Sequence, residues 1–365
     1  MGLKQQKIMF ELRHIILIEA VDRLGSLKRA AQELHLTQSA LSHQLKQLES
    51  SLGIKIFHRV NNQLHFTPLG KEFCEASKGI LEKVHQIEDR VEEVKSNEME
   101  SYIHGYSEIE TQRLYDQAHS IADFIHWDSR WEEGSLILEA GCGVGAQTKI
   151  IAAQNPQCEF VGVDISQKSL EIADQLTQDL KLGNVKFLKE DLTHLSFEDN
   201  TFDHVFLCFV LEHVKSPLTI LQELNRVLKP HGTITVIEGD HGSTYSYPDS
   251  KAAREVVQAQ VTLQEKSGGN ANIGRALYPL LKKTGFADIN VSPRQVYVDD
   301  SKPALVSGFT LNTFTAMIKG ISSEAIAQKM MSEDAFQEGI KDLERTAAGG
   351  GTFCYTFFKG IAVKR

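Results

Sequence analysis

The sequence predicts a multidomain fold in which a small all-α unit with a long helix precedes a larger α/β unit. The chain has 365 residues, which is more than one hydrophobic core usually contains. Apolar residues recur at helical spacing through much of the first 96 positions, whereas short apolar runs alternate with helical patterns from Leu136 onward. The first pattern is typical of helices packed on helices, and the second of a parallel sheet flanked by helices.

Composition excludes several classes of protein. Hydrophobic residues make up 41% of the chain and charged residues 24%, which is typical of a folded globular protein rather than a disordered or collagen-like one. No apolar run is long enough to cross a bilayer and the first residues lack a signal-peptide core, so we expect a cytoplasmic protein without membrane contact. Five scattered cysteines without a Cys-x-x-Cys pair indicate neither a disulfide framework nor a metal site.

The charge of the chain is distributed unevenly. The net charge is −9, yet residues 1–70 carry nine basic and five acidic side chains, whereas residues 98–365 carry 25 basic and 36 acidic ones. This asymmetry indicates that only the first segment would bind a polyanion such as DNA. Ordinary solvated surfaces also differ by a few charges, so the asymmetry alone does not decide between the two explanations.

Helical periodicity predicts three helices near the start of the chain, over residues 10–24, 27–34 and 38–52, with Ser26 and Thr37 as N-caps of the second and third. The second and third helices with their short turn form a helix-turn-helix. The outward face of the third helix presents short hydrogen-bonding groups and one cation, which suit base edges and phosphates in a major groove. These candidate DNA-binding residues are Gln38, Ser39, Ser42, His43 and Lys46.

Two extended segments and a long helix follow. Residues 55–59 and 64–67 alternate in polarity around a turn, which predicts a β-hairpin wing with Arg59 as a phosphate contact. Over residues 68–94 apolar side chains are spaced mostly by four and three with charged neighbours, as in a two-helix seam. The residues of this predicted seam are Leu69, Phe73, Ala76, Ile80, Val84, Ile87, Val91 and Val94. A second copy would cover this seam, so we expect a homodimer or a higher oligomer through residues 69–96; the alternative is a helix packed on its own domain.

Particular residues of this segment carry a specific pattern: Ala30-Ala31, Leu34, Thr37 to Ser42, Leu45, Leu48-Glu49, Leu52-Gly53, Phe57, Arg59, Leu64, Thr67 and Gly70. Together they resemble the DNA-binding head of LysR-type transcriptional regulators, over roughly residues 9–96. The resemblance implies a winged helix-turn-helix domain over residues 1–68 and a linker and dimerisation helix over residues 69–97. Two heads would then bind an inverted repeat in double-stranded DNA. The effector domain of LysR-type regulators is not recognisable after residue 98.

A glycine-rich loop follows the first predicted strand of the larger unit. Residues 136–138 form a short apolar strand that leads into Glu139-Ala140-Gly141-Cys142-Gly143-Val144-Gly145 and then into a helix from Gln147. Glycines between a strand and a helix let a ligand approach the backbone. The spacing also fits Gly-x-Gly-x-x-Ala, so the loop on its own is equally compatible with an NAD site.

Acidic residues follow the next two predicted strands. Residues 159–163 end at Asp164, whose carboxylate can accept hydrogen bonds from both hydroxyls of a ribose. Residues 185–189 lead to Asp191-Leu192, an acid and an apolar residue suited to an adenine pocket. These positions predict a ligand that contains adenosine. Two further strands are predicted over residues 202–208 and 233–238, with a helix over residues 221–228 between them in the sequence.

The order of these elements resembles class I S-adenosylmethionine-dependent methyltransferases over residues 134–239. The resemblance implies a Rossmann-like, mostly parallel seven-stranded sheet with helical insertions, completed by a helix over 276–284 and antiparallel strands over 289–298 and 353–363. It also implies S-adenosyl-L-methionine as the cofactor. The cofactor-binding residues that it indicates are Glu139, Gly141, Cys142, Gly143, Asp164, Ile165, Asp191, Leu192 and Cys208.

Three of the residues near this site have a simpler alternative role. Cys142 and Cys208 are also explained as small buried fillers, since neither has a neighbouring base in sequence. Gly145 is equally explained by close helix packing. The resemblance also implies that residues 98–365 form the methyltransferase domain, with its cofactor site on the loops after the strands.

Segments outside the common elements predict the acceptor site. Residues 98–133 are expected to form an N-terminal lid, and the insertions over 241–275 and 300–350, both largely helical in pattern, to cap the substrate pocket, because ligands bind at the carboxyl edge of such sheets. His213 and His241 are candidate bases, although such histidines are more often structural. Tyr102, His104 and Tyr106 are candidate contacts of the sulfonium or of the substrate, with domain packing as the alternative, and Tyr106 is also a catalytic candidate.

Two functions fit this combination of domains. The first is a methyltransferase of a small molecule joined to a DNA-binding regulator. The second is a regulator whose methyltransferase-like domain is a non-catalytic sensor of S-adenosylmethionine or of a metabolite. Methylation of nucleic acid is disfavoured because the larger unit is acidic and lacks an Asn/Asp-Pro-Pro-Tyr/Phe motif. Neither function requires a metal.

Overall fold

A computed structural model of the chain describes residues 12–24, 26–34, 36–60, 63–96 and 108–365. The chain divides into two compact units, Met1–Lys95 and Ser96–Arg365. Among the described residues no helix is long and apolar enough to cross a membrane. The same described residues contain no group of three or more His, Cys, Asp or Glu side chains placed to hold a metal ion.

The smaller unit contains the predicted helix-turn-helix and hairpin. The Ser26 side chain accepts a hydrogen bond from the Arg29 amide, which caps the second helix. The Thr37 side chain accepts one from the Ala40 amide and caps the third. The bounds are α1 Leu12–Leu24, α2 Leu27–Glu33, α3 Gln38–Leu52, β1 Phe57–Val60, β2 Gln63–Phe66 and α4 Pro68–Ser96, with β1 and β2 antiparallel.

Only one face of the first half of α4 packs on the smaller unit. Cys74, Ser77 and Leu81 are buried, whereas Leu69 and Ile80 of the predicted seam are 46% and 39% exposed. Phe73, which also belongs to the predicted seam, packs against the apolar core of this unit. Among the described residues the seam is therefore open only in part. Side chains beyond Val84 on α4 lie outside the described residues, so the second half of the seam remains a sequence prediction.

The larger unit is built around one seven-stranded sheet. The strand order is β5-β4-β3-β6-β7-β9-β8; the first five are parallel, and β9 runs antiparallel to both of its neighbours. This confirms the Rossmann-like, mostly parallel seven-stranded sheet that the resemblance implies. The strand bounds are β3 Leu136–Ala140, β4 Glu159–Asp164, β5 Val185–Lys189, β6 Phe202–Cys208, β7 Leu228–Tyr247, β8 Phe286–Val298 and β9 Thr352–Lys364.

Helices cover both faces of this sheet, and each face has its own buried apolar cluster. Ile137 and Phe206 point into one cluster, whereas Leu138 and Leu207 point into the other, because successive side chains on a strand face opposite sides. The helix bounds are α5 Glu108–Ile125, α6 Thr148–Gln154, α7 Gln167–Asp179, α8 Pro217–Val227, α9 Lys251–Lys266, α10 Leu277–Lys283, α11 Pro303–Leu305, a π-helix Val306–Thr315, α12 Ala316–Gly320, α13 Ser322–Ala327 and α14 Glu333–Arg345.

One expectation for the segment after residue 238 is wrong. The strand predicted over 233–238 continues to Tyr247, because β9 keeps pairing with it as far as Tyr247 and Thr352. The insertion over 241–275 therefore begins with strand residues, but it is largely helical as predicted, and its helix α9 packs against α14. The insertion over 300–350 is helical, as predicted.

Candidate active site and DNA-binding surface

A cavity of about 240 Å³ lies at the carboxyl ends of the parallel strands. Its lining comes from the loop after β3, the ends of β4 and β6, the segment after β5, and β7 and β9. α5 of the predicted lid contributes Thr111, Arg113, Leu114 and Gln117, and the insertion over 300–350 contributes its π-helix and Met317. The insertion over 241–275 contributes only His241.

The glycine-rich loop is held against the end of β4. The amides of Gly141 and Cys142 donate to the Val163 carbonyl at 2.8 and 3.0 Å. Gly141 has φ 75°, and a Cβ there would lie 2.5 Å from Val210 Cγ2, so a larger residue would be both strained and in collision. At Gly145 a Cβ would lie 3.0 Å from Ala173 on α7, which supports the packing role for that residue.

Asp164 joins this loop to the cavity. Its Oδ2 accepts the Gly143 amide at 2.9 Å and its Oδ1 accepts the Ser166 amide at 2.9 Å. Burial raises the pKa of Asp164, while these backbone donors stabilise the ionised form. The result is a carboxylate that lines the cavity in a fixed orientation and retains lone pairs for a ligand.

Glu139 lies behind the loop instead of in the cavity lining, in contrast to the other eight residues assigned to the cofactor. Its side chain is 2% exposed, and its Oε2 has no hydrogen-bond partner among the described residues. Burial raises the pKa of Glu139 to about 8, and the nearby charge of Asp164 adds to the shift. At neutral pH this carboxyl is therefore mainly protonated.

The remaining residues assigned to the cofactor line one end of the cavity. Ile165, Asp191 and Leu192 follow β4 and β5, and Asp191 Oδ1 accepts the Thr193 amide at 2.8 Å. Cys142 and Cys208 also line it, and burial raises the pKa of both thiols well above the usual value. Both sulfurs stay protonated, which fits a packing role better than a nucleophilic one.

The other end of the cavity is aromatic. Rings from the end of β6, from the π-helix and from β9 meet there, and Tyr355 and Phe357 lie with their ring centres 4.7 Å apart. A π-helix is rare and is frequently found at functional sites. It presents its side chains to the cavity together with Met317 of α12. The aromatic lining consists of Phe209, Phe309, Phe314, Tyr355 and Phe357.

Polar side chains are embedded in this aromatic end. His241 is 5% exposed; its Nδ1 lies 2.9 Å from Tyr355 Oη and its Nε2 lies 3.4 Å from Met317 Sδ. His213 Nε2 lies 3.3 Å from Glu212 Oε1. Both histidines thus lie in the cavity lining, as expected for candidate bases.

Two buried carboxyl groups, those of Glu212 and Glu238, lie near these histidines and differ in their protonation state. Burial opposes the ionisation of Glu212, but His213, His241 and Arg113 lower its pKa to about 2. Burial and the Glu212 charge raise the pKa of Glu238, whose Oε1 accepts the Leu211 amide at 2.7 Å. We therefore assign the negative charge to Glu212 and a proton to Glu238.

Sequence reasoning did not identify several residues of this end. Tyr355 and the phenylalanines of the π-helix follow no recognisable motif, and Tyr355 is 114 positions away from the histidine that it contacts. Only the sheet topology places them together. Tyr102, His104 and Tyr106 lie outside the described residues, so their expected role in the lid is not addressed.

The smaller unit presents the predicted DNA-binding face on α3. Leu41, Leu45 and Leu48 are buried against α1 and α2. On the opposite side Ser39, His43 and Lys46 are exposed and Ser42 is half-buried. The side chains of Gln38 and Arg59 lie outside the described residues.

Replacing Lys46 by alanine is expected to weaken DNA binding about equally for all sequences and to lower the slope of log affinity against log salt by about one. The reason is that an exposed lysine on this face would neutralise one phosphate. Fluorescence anisotropy with the full chain and a labelled duplex, at several salt concentrations, measures both quantities. Lys71→Ala, an exposed lysine on α4, is the control; an unchanged slope in Lys46→Ala would contradict the assignment.

Comparison with known families supports both units. Residues 12–71 match the model of bacterial regulatory helix-turn-helix proteins of the lysR family. Residues 138–236 match the model of a methyltransferase domain. Both resemblances inferred from the sequence are thereby confirmed.

Two relatives illustrate what the chain is similar to. An uncharacterised 37.1 kDa protein in transposon TN4556 of Streptomyces fradiae is 30% identical over 292 residues, which cover 79% of this chain and 81% of that protein. Demethylmenaquinone methyltransferase of Staphylococcus aureus is 34% identical over 136 residues, which cover 34% of this chain. The matched part spans 56% of the length of that enzyme.

Two solved structures also align with 68% of this chain. Phosphoethanolamine N-methyltransferase 2 of Haemonchus contortus, in complex with S-adenosyl-L-methionine, is 21% identical, with a TM-score of 0.43 and coverage of 68% of this chain and 52% of that one. The YcgJ protein of Bacillus subtilis is 18% identical, with a TM-score of 0.44 and coverage of 68% and 98%.

Proposed function

The chain belongs to the same family as the Streptomyces transposon protein and joins a lysR-family helix-turn-helix to a methyltransferase domain, and from this premise we propose that it methylates a small molecule and binds double-stranded DNA. S-adenosyl-L-methionine is the proposed methyl donor. The single observation that carries the proposal is the cavity itself. It combines a glycine loop and fixed carboxylate at one end with an apolar, aromatic end.

The residues at the loop end fit the proposed donor. A Cβ at Gly143 would meet nothing within 4 Å, so the backbone there faces open space that a ligand can occupy. Asp164 offers oxygen acceptors to a ribose, and Asp191 with Leu192 forms a polar and an apolar contact for an adenine. The carboxyl groups at this end, those of Glu139, Asp164 and Asp191, also suit a ligand with a positively charged sulfur and amino group.

The chemistry needs few catalytic groups from the protein. The donor supplies a methyl group that is displaced in line by a nucleophile. The chain has to hold the nucleophile on that line and to exclude water, which the buried aromatic end does. Because both ends belong to one cavity, donor and acceptor can meet without a separate tunnel.

Titration of the full chain with S-adenosylmethionine tests the proposal, followed by detection of S-adenosylhomocysteine in the presence of small apolar thiols, amines and phenols. We expect binding that strengthens as the pH rises toward about 8, because ionised Glu139 attracts the cationic donor and because binding would then release a proton. The gain would be up to about tenfold per pH unit below this pKa.

Glu139→Gln is expected to remove this pH dependence and to bind the donor about as the wild type does at low pH. Calorimetry in buffers of different ionisation enthalpy measures the released proton directly. No binding by the wild type would end the methyltransferase proposal. Binding with the same pH dependence in Glu139→Gln would contradict only the role of Glu139.

We further propose that the full chain is a homodimer through α4. The predicted seam is exposed at Leu69, Ala76 and Ile80, whereas Phe73 of the same seam packs against the apolar core of its own unit. An exposed apolar stripe of this kind is stabilised when a second copy covers it. Dimerisation would also give two heads for an inverted repeat.

A further inference from the structure

We propose that Tyr355 and His241 form a proton relay and that the cavity accepts a neutral aromatic molecule whose hydroxyl group is methylated. The inference rests on the proposed methyl transfer in the same cavity and adds the acceptor class and the route of its proton. Four features support it: the different partners of the two ring nitrogens of His241, the fixed position of the Tyr355 hydroxyl, the charges around these two residues, and the aromatic lining of the cavity.

The two ring nitrogens of His241 have different partners. Met317 Sδ, 3.4 Å from Nε2, can only accept a hydrogen bond, so Nε2 carries the ring proton. Nδ1 is then the basic nitrogen, and Tyr355 Oη donates to it at 2.9 Å. The hydroxyl of Tyr355 is thus already oriented to give its proton to His241.

Tyr355 belongs to β9, and its hydroxyl lies against Gly239 of the neighbouring strand β7. A Cβ at Gly239 would lie 2.3 Å from Tyr355 Oη, so only glycine at this position leaves room for the hydroxyl. Gly239, His241 and Tyr355 all line the cavity. An acceptor in the aromatic end can therefore reach the oxygen whose proton points at the histidine.

The surroundings of His241 lower its pKa, so the imidazole is neutral at neutral pH and is able to accept a proton. Burial lowers the pKa of His241, and His213 and Arg113 act in the same direction, whereas Glu212 and Asp240 oppose them. Burial also raises the pKa of Tyr355, so the tyrosine keeps its hydroxyl proton at neutral pH. The pair rests as a neutral imidazole and a phenol, and Glu212 is placed to stabilise the imidazolium that would form.

The relay requires a neutral acceptor. Only a hydroxyl group that still holds its proton can pass it to Tyr355 Oη, whereas an acceptor that is already ionised has no proton to give and would also be repelled by the Glu212 carboxylate in the cavity lining. Phe309, Phe314 and Phe357 surround the site with ring faces and edges, which favour an aromatic guest. A phenol holds its proton more tightly than a thiol, with a pKa of about 10 against about 8.5, so a phenol gains more from a relay.

The proposed step transfers one methyl group to the acceptor oxygen and moves one proton from that oxygen toward His241. As the acceptor oxygen forms a bond to the methyl carbon, the carbon–sulfur bond breaks and its electron pair remains on the sulfur, giving S-adenosylhomocysteine. The acceptor proton passes to Tyr355 Oη, and the tyrosine proton passes to His241 Nδ1. The imidazolium later releases this proton to solvent.

Two probes with the same rings test the relay, 2-naphthol and 2-naphthalenethiol. We expect the full chain to methylate the naphthol and Tyr355→Phe and His241→Asn to lower kcat/KM for it about 100-fold, in line with the usual contribution of a general base. Loss on the thiol should be only a few-fold, because the thiol ionises without the relay. Gly239→Ala should give the same split by displacing the Tyr355 hydroxyl.

Controls distinguish a relay from a structural role. His119→Asn, an exposed histidine of α5 outside the cavity lining, should change neither probe. Added imidazole should restore naphthol methylation to His241→Ala, and the fall of wild-type kcat/KM at low pH should disappear in His241→Asn.

The outcomes separate this inference from the proposed function. Equal loss on both probes in Tyr355→Phe, or no methylation of the naphthol by wild type that binds S-adenosylmethionine, would overturn the relay and leave donor binding in place. If the wild type does not bind S-adenosylmethionine, the proposed function itself fails.

Discussion

Asp164→Ala is expected to weaken the binding of S-adenosylmethionine about 1,000-fold. The substitution removes the proposed acceptor of two ribose hydroxyls, and hydrogen bonds to a charged group contribute about 1.5–3 kcal/mol each. It also leaves the Gly143 amide without the Oδ2 that accepts it at 2.9 Å, so the glycine loop would lose its support. Calorimetric titration of the full chain gives the affinity directly.

Two matched variants make this result interpretable. Asp164→Asn keeps an oxygen for the Gly143 amide and loses the charge, so its affinity should lie between those of wild type and Asp164→Ala. Asp179→Ala, at the end of α7, removes an acid outside the cavity lining and should bind like wild type. DNA affinity should stay the same in all three variants. A dissociation constant within threefold of wild type in Asp164→Ala would refute the ribose assignment.

Asp128→Ala is expected to lower the free energy of unfolding of the larger unit by about 3–5 kcal/mol, the usual cost of breaking a buried ion pair. Lys359 is 1% exposed, and its Nζ contacts Asp128 Oδ1 at 2.6 Å, Ser129 Oγ at 2.9 Å and the Ile125 carbonyl at 3.2 Å. Removing the carboxylate leaves a buried cation on the central antiparallel strand β9. Arg294, which also pairs with Asp128, would lose its partner too.

Urea unfolding followed by tryptophan fluorescence measures this effect in the full chain. Both tryptophans of the sequence, Trp127 and Trp131, lie in the larger unit, so the signal reports that unit alone. Asp123→Ala, an exposed acid on α5, is the control and should change the free energy by less than about 0.5 kcal/mol. Adding Lys359→Met to Asp128→Ala should recover part of the loss, because it removes the uncompensated charge.

The same cluster gives the sign of a pH effect. Burial disfavours the Asp128 carboxylate, but Lys359 and Arg294 hold its pKa below the usual value. The stabilisation is therefore present above the unfolded-state pKa and is lost as the pH falls through the folded-state value. Asp128→Ala should accordingly flatten the loss of stability in acid. A variant as stable as wild type would show that the ion pair adds little beyond its desolvation cost.

Local sequence signals predicted most of the fold. β5 and β6 have the predicted bounds because each is a short strand-forming run ended by polar or turn residues. The extension of β7 past Glu238 could not be predicted in this way, since residues 239–247 are rich in Gly, Ser and polar side chains. They are a strand because β9 supplies a partner from the far end of the chain.

The same distinction applies to the two ends of the cavity. Residues at the loop end follow successive strands in sequence, so spacing and residue type were sufficient to indicate Gly141, Gly143 and Asp164. The aromatic end is assembled from segments that are distant in sequence, and neither the π-helix nor Tyr355 has a local signature. Glu139 fits the motif but lies one layer behind the cavity, which only the packing of the loop reveals.

The hydrogen-bonded pairing of β6 with β7 has a consequence for how this protein could diverge. Cys208 at the loop end pairs with Ile237, only two residues before Gly239 under the Tyr355 hydroxyl. The residues with the proposed donor-facing and proton-accepting roles are thus spaced by the pairing of the strands, whereas Phe309 and Phe314 come from a helix outside the sheet. Variation in that helix would alter which molecules fit while leaving the reaction geometry unchanged, so descendants could acquire new acceptors without rebuilding the chemistry.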